Sequence, residues 1–120
     1  MSSYLLSVYN PAGSHEREFG PYPNAADMEA AFARTAEFNE FLQNSGTLVF
    51  AAGLSAPTLG VTVAPDGALI DGPAFHAESY LGGFWIIRAA DFDVATRIAA
   101  QAAVACGGKV EVRQMESPED

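Results

Sequence analysis

Four stretches of the chain carry the apolar patterns that are typical of β-strands. YLLSVY (4–9) and GGFWIIRA (82–89) are apolar at consecutive positions, as is much of TLVFAAGL (47–54). Such runs predict strands that are buried on both faces or nearly so. In KVEVRQM (109–115), Val110 and Val112 alternate with Glu111 and Arg113, which predicts a half-exposed strand near a sheet edge.

Two segments have the three-to-four-residue spacing of amphipathic helices. The first is predicted to begin after Asn24, an N-cap residue, and to run to about Ser45, with Gly46 suited to the position that follows a helix end. The second is predicted over 92–106, capped by Asp91 and ended by the glycine pair 107–108. The inward stripe of the first helix comprises Met28, Ala31, Phe32, Thr35, Phe38, Asn39 and Leu42.

A hairpin is predicted between the strand at 47–54 and the strand at 82–89. LGVTV (59–63) and ALIDG (68–72) flank Asp66-Gly67, a dipeptide that favours tight turns. The order of elements is then β-α-β-hairpin-β-α-β, which predicts an α+β fold with a ferredoxin-like split βαβ sheet and an inserted hairpin. The aperiodic segment 10–24 is predicted to be a long loop, and ESPED (116–120) a frayed acidic tail.

The strand composition also predicts a second copy of the chain. Two helices can cover only one face of a four-stranded sheet, yet YLLSVY and FWII place apolar side chains on both faces. The economical cover for the other face is the same face of another protomer. We therefore expect a homodimer packed sheet on sheet.

Composition and charge narrow the classes of partner. The 120 residues fit one domain, 1–120, and the net charge of −9, from six basic and fifteen acidic residues, argues against nucleic acid and anionic membrane surfaces. The single cysteine, Cys106, excludes an internal disulfide and is predicted to be a small buried thiol. Without a spanning helix or a signal peptide, a cytoplasmic location is expected. No metal site or cofactor is predicted.

Motifs spread along almost the whole chain resemble the DGPF subgroup of the YCII-related family. The matching pieces, in order, are Phe38-Asn39-Glu40-Phe41-Leu42 with Ser45-Gly46, Gly53-Leu54-Ser55-Ala56-Pro57, Asp71-Gly72-Pro73-Ala74, Leu81-Gly82-Gly83-Phe84, and Gly107-Gly108-Lys109-Val110-Glu111-Val112-Arg113. The resemblance implies a dimeric α/β barrel. It also implies that some relatives are enzymes with a His–Asp pair, one of them a dehydrochlorinase. The Asp of that pair falls on Asp71, and the His near Glu37, where this sequence has no histidine.

Five residues are candidates for chemistry. Asp71 and His76 are predicted as a catalytic acid–base pair supplied by one loop, and Asn39, Arg34 and Tyr80 as ligand-binding residues. Structural alternatives stand beside them: an Asx turn for Asp71, a solvated surface histidine for His76, a solvated ion pair with Glu37 for Arg34, and a structural hydrogen bond for Asn39. His15 is expected to be solvated.

Two functions follow from different classes of protein. The first is a dimeric α/β-barrel module that binds a small molecule, with an aromatic one as a candidate, without converting it. The alternative is a small acid–base enzyme, a hydrolase or a dehydrochlorinase-like lyase, that uses Asp71 with His76. A purely structural, partner-binding role is a third option.

Overall fold

In the computed structural model, which describes residues 1–116, the chain forms six β-strands and two α-helices. They follow in the order β1 (Ser2–Pro11), α1 (Ala25–Asn44), β2 (Leu48–Gly53), β3 (Val61–Val63), β4 (Leu69–Asp71), β5 (Ser79–Ala89), α2 (Phe92–Cys106) and β6 (Val110–Gln114). Two short 3₁₀ turns lie at Ser14–Glu16 and Pro57–Leu59. Every predicted element is present. Both β1 and β5 are longer than predicted, because their pairing continues to Pro11 and Ser79.

Both helices begin and end at the residues that local chemistry favours. The Asn24 side chain accepts a hydrogen bond from the amide of Asp27 at 2.8 Å, and Asp91 accepts one from the amide of Val94 at 2.9 Å. These caps satisfy amides that have no partner within their helices. Gly46 and Gly107 follow the two helices with φ of 73° and 74°, a conformation that glycine adopts without strain.

Four strands form one antiparallel sheet in the order β2-β5-β1-β6. β1 and β5 lie at the centre, and β6 lies at an edge, as its alternating pattern predicts. Within residues 1–116 this sheet does not close into a barrel, and β2 and β6 are its open edges.

The core lies between one face of this sheet and the two helices. Tyr4 and Leu6 of β1 pair with Ile87 and Trp85 of β5, and all four side chains are buried. The Phe38 ring of α1 meets the Trp85 ring edge-on, with centroids 5.3 Å apart. α2 contributes the buried alanines Ala95, Ala99, Ala102 and Ala105. Their small side chains let the α2 backbone approach the core closely.

The opposite face of the sheet carries apolar side chains without helices over them. Ile86 pairs with Leu5 on one side and with Phe50 on the other, so these three share a face. Phe84 lies on the same face, and its ring centroid is 6.1 Å from that of Phe50. Phe50 is 55% exposed. We refer to Leu5, Phe50, Phe84 and Ile86 as the open face.

β3 and β4 form a separate two-stranded sheet around the predicted turn. Gly67 takes φ of 89°, and the Asp66 carboxylate accepts a hydrogen bond from the amide of Ala68 at 2.9 Å. We call Val61–Val63, Leu69–Asp71 and their turn the hairpin.

Two further expectations concern helices and the chain end. Among residues 1–116, no helix has both the length and the apolar character that crossing a bilayer requires. The predicted frayed tail lies, apart from Glu116, outside the described residues.

Candidate functional site

A cleft of about 760 Å³ opens between α1 and the end of the sheet where β1 and β5 leave the core. Its floor is sheet backbone and the Trp85 ring, one wall is α1, and the other wall is the loop that follows β1 together with the end of α2. The lining residues are Val8, Asn10, Pro11, Pro21, Tyr22, Phe32, Thr35, Ala36, Asn39, Ala51, Ala52, Gly53, Gly82, Gly83, Phe84, Trp85, Cys106, Gly107 and Gly108. This volume lies within the range of small-molecule sites.

The glycine pair of β5 shapes the floor of the cleft. The register between β1 and β5 shifts at Val8/Tyr9, so Gly82 stands without a partner in the ladder. A Cβ atom on Gly83 would lie 3.0 Å from the carbonyl oxygen of Ala52 in β2. A side chain on Gly82 would collide with the Asn10 amide. Gly82 thus lies at a bulge, and Gly83 permits a close approach of β5 to β2.

Tyr22 and Arg34 hold the walls of the cleft together at the end of α2. The Tyr22 hydroxyl donates to the carbonyl oxygen of Cys106 at 2.7 Å, and Arg34 Nε donates to that of Val104 at 3.2 Å. These carbonyls belong to the last turn of α2, where helical partners are missing. The Tyr22 ring also meets Phe32 edge-on at 6.3 Å between centroids. The predicted loop 10–24 is therefore a fixed wall of the cleft at Tyr22.

Burial raises the pKa of Tyr22 above the ordinary 10.0, and the nearby Cys106 thiol raises it further. The Arg34 guanidinium acts on the same pKa in the opposite direction, because it favours the phenolate. The hydroxyl therefore remains a hydrogen-bond donor at neutral pH.

Asn39 lines the cleft, and its amide group is held by one hydrogen bond. The indole Nε1 of Trp85 donates to Asn39 Oδ1 at 2.7 Å. Because an indole N–H can only donate, the amide oxygen must face Trp85 and the Asn39 NH₂ group must point the other way. That nitrogen has no hydrogen-bond partner among residues 1–116, and it is not shut off from solvent. Asn39 thus has the predicted structural bond and remains able to bind a ligand acceptor.

No Asp, Glu, Lys, Arg or His is among the described residues that line the cleft. In a chain with fifteen acidic residues, this is a distinct local environment. Aromatic rings, alanines, prolines and glycines make up most of the surface. The cleft is suited to a neutral or apolar molecular body with one or two hydrogen-bond acceptors.

A second, smaller chamber of about 150 Å³ adjoins the cleft and shares Asn10, Pro11 and Gly82 with it. Its other lining residues are Gly13, Ser14, His15, Glu16, Pro57, Thr58, Pro73, His76, Tyr80 and Leu81. His15 and His76 are the only histidines of the chain. We call this cavity the histidine chamber.

The predicted site residues do not form one cluster. Asn39 lines the cleft, Arg34 supports its wall, and His76 and Tyr80 line the histidine chamber. Asp71 is an exposed residue at the end of β4 and lines neither cavity. The acid–base pairing of Asp71 with His76 stays a prediction.

Comparison with known protein families identifies the family to which the chain belongs. Residues 4–117 match the YCII-related domain. The chain belongs to the YCII-related domain family. No match is found among curated proteins. Within residues 1–116, this YCII-related domain has no group of three or more His, Cys, Asp or Glu side chains placed to hold a metal ion.

Sequence reasoning missed three contributors to the site of this YCII-related domain. His15 is exposed, as expected, but no local pattern indicates that it lines the same chamber as His76. Tyr22 and Asn10 come from an aperiodic loop whose path no local pattern defines. The Pro-Tyr-Pro context of Tyr22 was the one available signal, because prolines restrict the loop around the ring.

Proposed function

We propose that this YCII-related domain binds a small molecule whose uncharged, preferably aromatic body lies in the cleft between α1 and the sheet. The observation that carries the proposal is the uncharged, ring-lined cleft of about 760 Å³, which Asn39 lines with an amide whose NH₂ group has no hydrogen-bond partner among residues 1–116. Aromatic side chains contact a planar ligand over a large area, and a single polar anchor gives it an orientation. The expected ligand therefore combines an aromatic ring with a carbonyl or hydroxyl oxygen.

The ligand acceptor meets a donor that is already oriented. Asn39 is fixed by Trp85, so binding costs little side-chain entropy at this position. A ligand without an acceptor leaves the amide nitrogen without a partner once water is displaced. Such a loss costs about 1–3 kcal/mol. An aromatic ketone should therefore bind more tightly than an alkylbenzene of the same size.

The test uses butyrophenone, an aromatic ketone, as the probe. The chain has one tryptophan, so the indole N–H of Trp85 gives a single, isolated amide-type signal in a ¹H–¹⁵N NMR spectrum. We expect butyrophenone to move this signal along a saturating curve. Pentylbenzene, which lacks the acceptor, should bind about tenfold or more weakly.

Ala36 and Ala33 provide a matched pair of variants on α1. Ala36 lines the cleft, whereas Ala33 is exposed on the same helix and does not line it. Ala36→Phe should fill the cleft and abolish the saturable shift, and Ala33→Phe should bind as the wild type does. Binding that survives Ala36→Phe, or a wild-type signal that never saturates, would contradict the proposal.

We also propose that two chains pair through the open face as a homodimer. The strand order β2-β5-β1-β6, with both helices on one side, supports a ferredoxin-like split βαβ arrangement. Apposing two open faces would complete the dimeric α/β barrel of the DGPF subgroup. The half-exposed rings Phe50 and Phe84 support this pairing, since monomers seldom leave large apolar patches in water.

We also propose the cytoplasm as the location, since a chain with a single cysteine does not depend on an oxidising compartment for an internal disulfide.

A further inference from the structure

The histidine chamber gathers both histidines of the chain from segments that are distant in sequence. His15 lies in the 3₁₀ turn after β1, and His76 lies in the loop between β4 and β5. Both line the same cavity of about 150 Å³, together with Tyr80. The volume corresponds to roughly five water molecules at about 30 Å³ each. The chamber therefore has room for a small group such as a carboxylate or a phosphate.

The polar groups of the chamber are mostly donors. The Tyr80 hydroxyl oxygen already accepts a hydrogen bond from the amide of Ala77 at 3.0 Å, which leaves its hydrogen to donate elsewhere. Each imidazole has at least one N–H donor in any protonation state, and Asn10 adds an amide. The Ser14 hydroxyl is engaged with the carbonyl oxygen of Pro11 at 2.6 Å. Glu16 is the one carboxylate among the described lining residues.

We propose that the histidine chamber is an oxyanion subsite that takes the carboxylate or phosphate group of a ligand. Four side chains with hydrogen-bond donors in the lining of one small cavity match an anion with several acceptor oxygens. As a statement about the whole ligand, this rests on the proposed function: the aromatic body lies in the cleft and its charged group enters the chamber. The two cavities share Asn10, Pro11 and Gly82, so the two parts of such a ligand would lie on either side of these residues.

The first experiment tests the chamber alone. The two imidazole rings are followed by NMR at constant pH and ionic strength while sodium acetate, sodium phosphate or sodium chloride is added. Acetate or phosphate should move both imidazole signals along saturation curves that share one midpoint concentration. The midpoint for acetate compared with that for phosphate shows which oxyanion the chamber prefers. Chloride should cause only a small, linear drift.

Single variants identify the residues that bind the anion. In His15→Ala the His76 signals report binding, and in His76→Ala the His15 signals do. Each variant should raise the oxyanion Kd about tenfold, the loss expected for one hydrogen bond to a charged group. Both side chains are exposed, so the fold should tolerate their removal.

Variants of Glu16 test whether the group bound in the chamber is negatively charged. Glu16→Gln removes the one negative charge of the lining and should tighten oxyanion binding severalfold. Glu18→Gln, at an exposed position outside the chamber, should leave it unchanged. If Glu16→Gln weakens binding, if the two imidazoles respond with different midpoints, or if chloride produces the same response as acetate, the proposal is overturned.

The second experiment joins the two cavities. 3-Benzoylpropanoate has the ring and ketone of butyrophenone with a carboxylate in place of the terminal methyl group. It should bind at least about tenfold more tightly than butyrophenone, and His76→Ala should remove that advantage. If butyrophenone binds and the acid shows no advantage, the subsite is wrong and the cleft stands. If acetate saturates both imidazoles while butyrophenone does not bind, the cleft is wrong and the subsite stands.

Discussion

At the scale of single residues, the walls of the cleft depend on a few side chains that bond to backbone. The Tyr22 hydroxyl replaces a missing helical donor at the end of α2, and Asn39 satisfies the indole of the buried Trp85. Both contacts join segments far apart in sequence. Each residue therefore links the position of one wall to that of another.

The raised pKa of Tyr22 gives a prediction about alkaline stability. The unfolded phenol titrates near 10, and the folded one titrates higher, so the native state holds this proton more tightly. The stabilisation is fully present below the unfolded value and is lost as the pH rises through the folded value. Tyr22→Phe should lower the stability at pH 7 by about 1 kcal/mol, the usual net worth of a hydrogen bond.

The measurement compares urea unfolding of the wild type and of Tyr22→Phe from pH 7 to about pH 11.5. The gap in free energy of unfolding between them should narrow above about pH 10. Tyr9→Phe, which alters an exposed tyrosine, serves as the control and should show no such narrowing. If the difference in free energy of unfolding stays constant over this pH range, the Tyr22 hydroxyl does not make the stability depend on pH, and the prediction is wrong.

At the scale of elements, the irregular pairing of β1 with β5 produces the floor of both cavities. Regular pairing would place a side chain opposite each position, but the shift at Val8/Tyr9 leaves Gly82 unpaired beside Asn10. Gly83 then brings β5 close to the backbone of Ala52 in β2. The two glycines therefore face different neighbours: Gly82 faces the flexible side chain of Asn10, and Gly83 faces the main chain of β2.

This difference predicts unequal effects of adding a methyl group. Gly83→Ala presses on the β2 backbone at Ala52, which can yield only by disturbing its pairing with β5, and should destabilise the fold by about 1–3 kcal/mol. Gly82→Ala displaces only the Asn10 side chain and should cost less than about 1 kcal/mol. Chemical unfolding of both variants checks the order. Equal losses would mean that the strand contact at Ala52 is not tight.

The elements that sequence alone predicts are those defined by local chemistry. Caps at Asn24 and Asp91, the turn at Asp66-Gly67 and the alternation in β6 all depend on neighbours within a few positions. The cavities depend on contacts between loops far apart in sequence. Nothing in the pattern around His15 indicates that its loop reaches the segment with His76. Asp71 is predicted as a catalytic residue from its motif, yet it lines neither cavity.

At the scale of the whole molecule, one layer of helices on one layer of sheet gives a flat particle of 43 × 40 × 20 Å. The thin dimension leaves the open face in contact with water in a lone chain. Burial of apolar surface yields about 25 cal/mol per Å², so a second copy over Phe50 and its neighbours would be stabilising. This geometry supports the proposed homodimer.

Sedimentation at micromolar concentration tests the dimer. The wild type should sediment as about 25 kDa, twice the 12.6 kDa of one chain. Phe50→Glu places a charge on the open face and should give the single-chain mass with an unchanged far-UV spectrum. Phe41→Glu, at a similarly exposed ring on α1, should remain a dimer. A wild type of 12.6 kDa would contradict the pairing.

The hairpin has a consequence of its own. β3 and β4 pair only with each other, and Leu69 and Val63 are mostly exposed, so few contacts oppose their separation. The amides of these two strands should exchange with deuterium well before those of β5, because opening them does not disturb the central sheet. The protein thus has a region that can rearrange at little energetic cost while the rest of the fold stays closed.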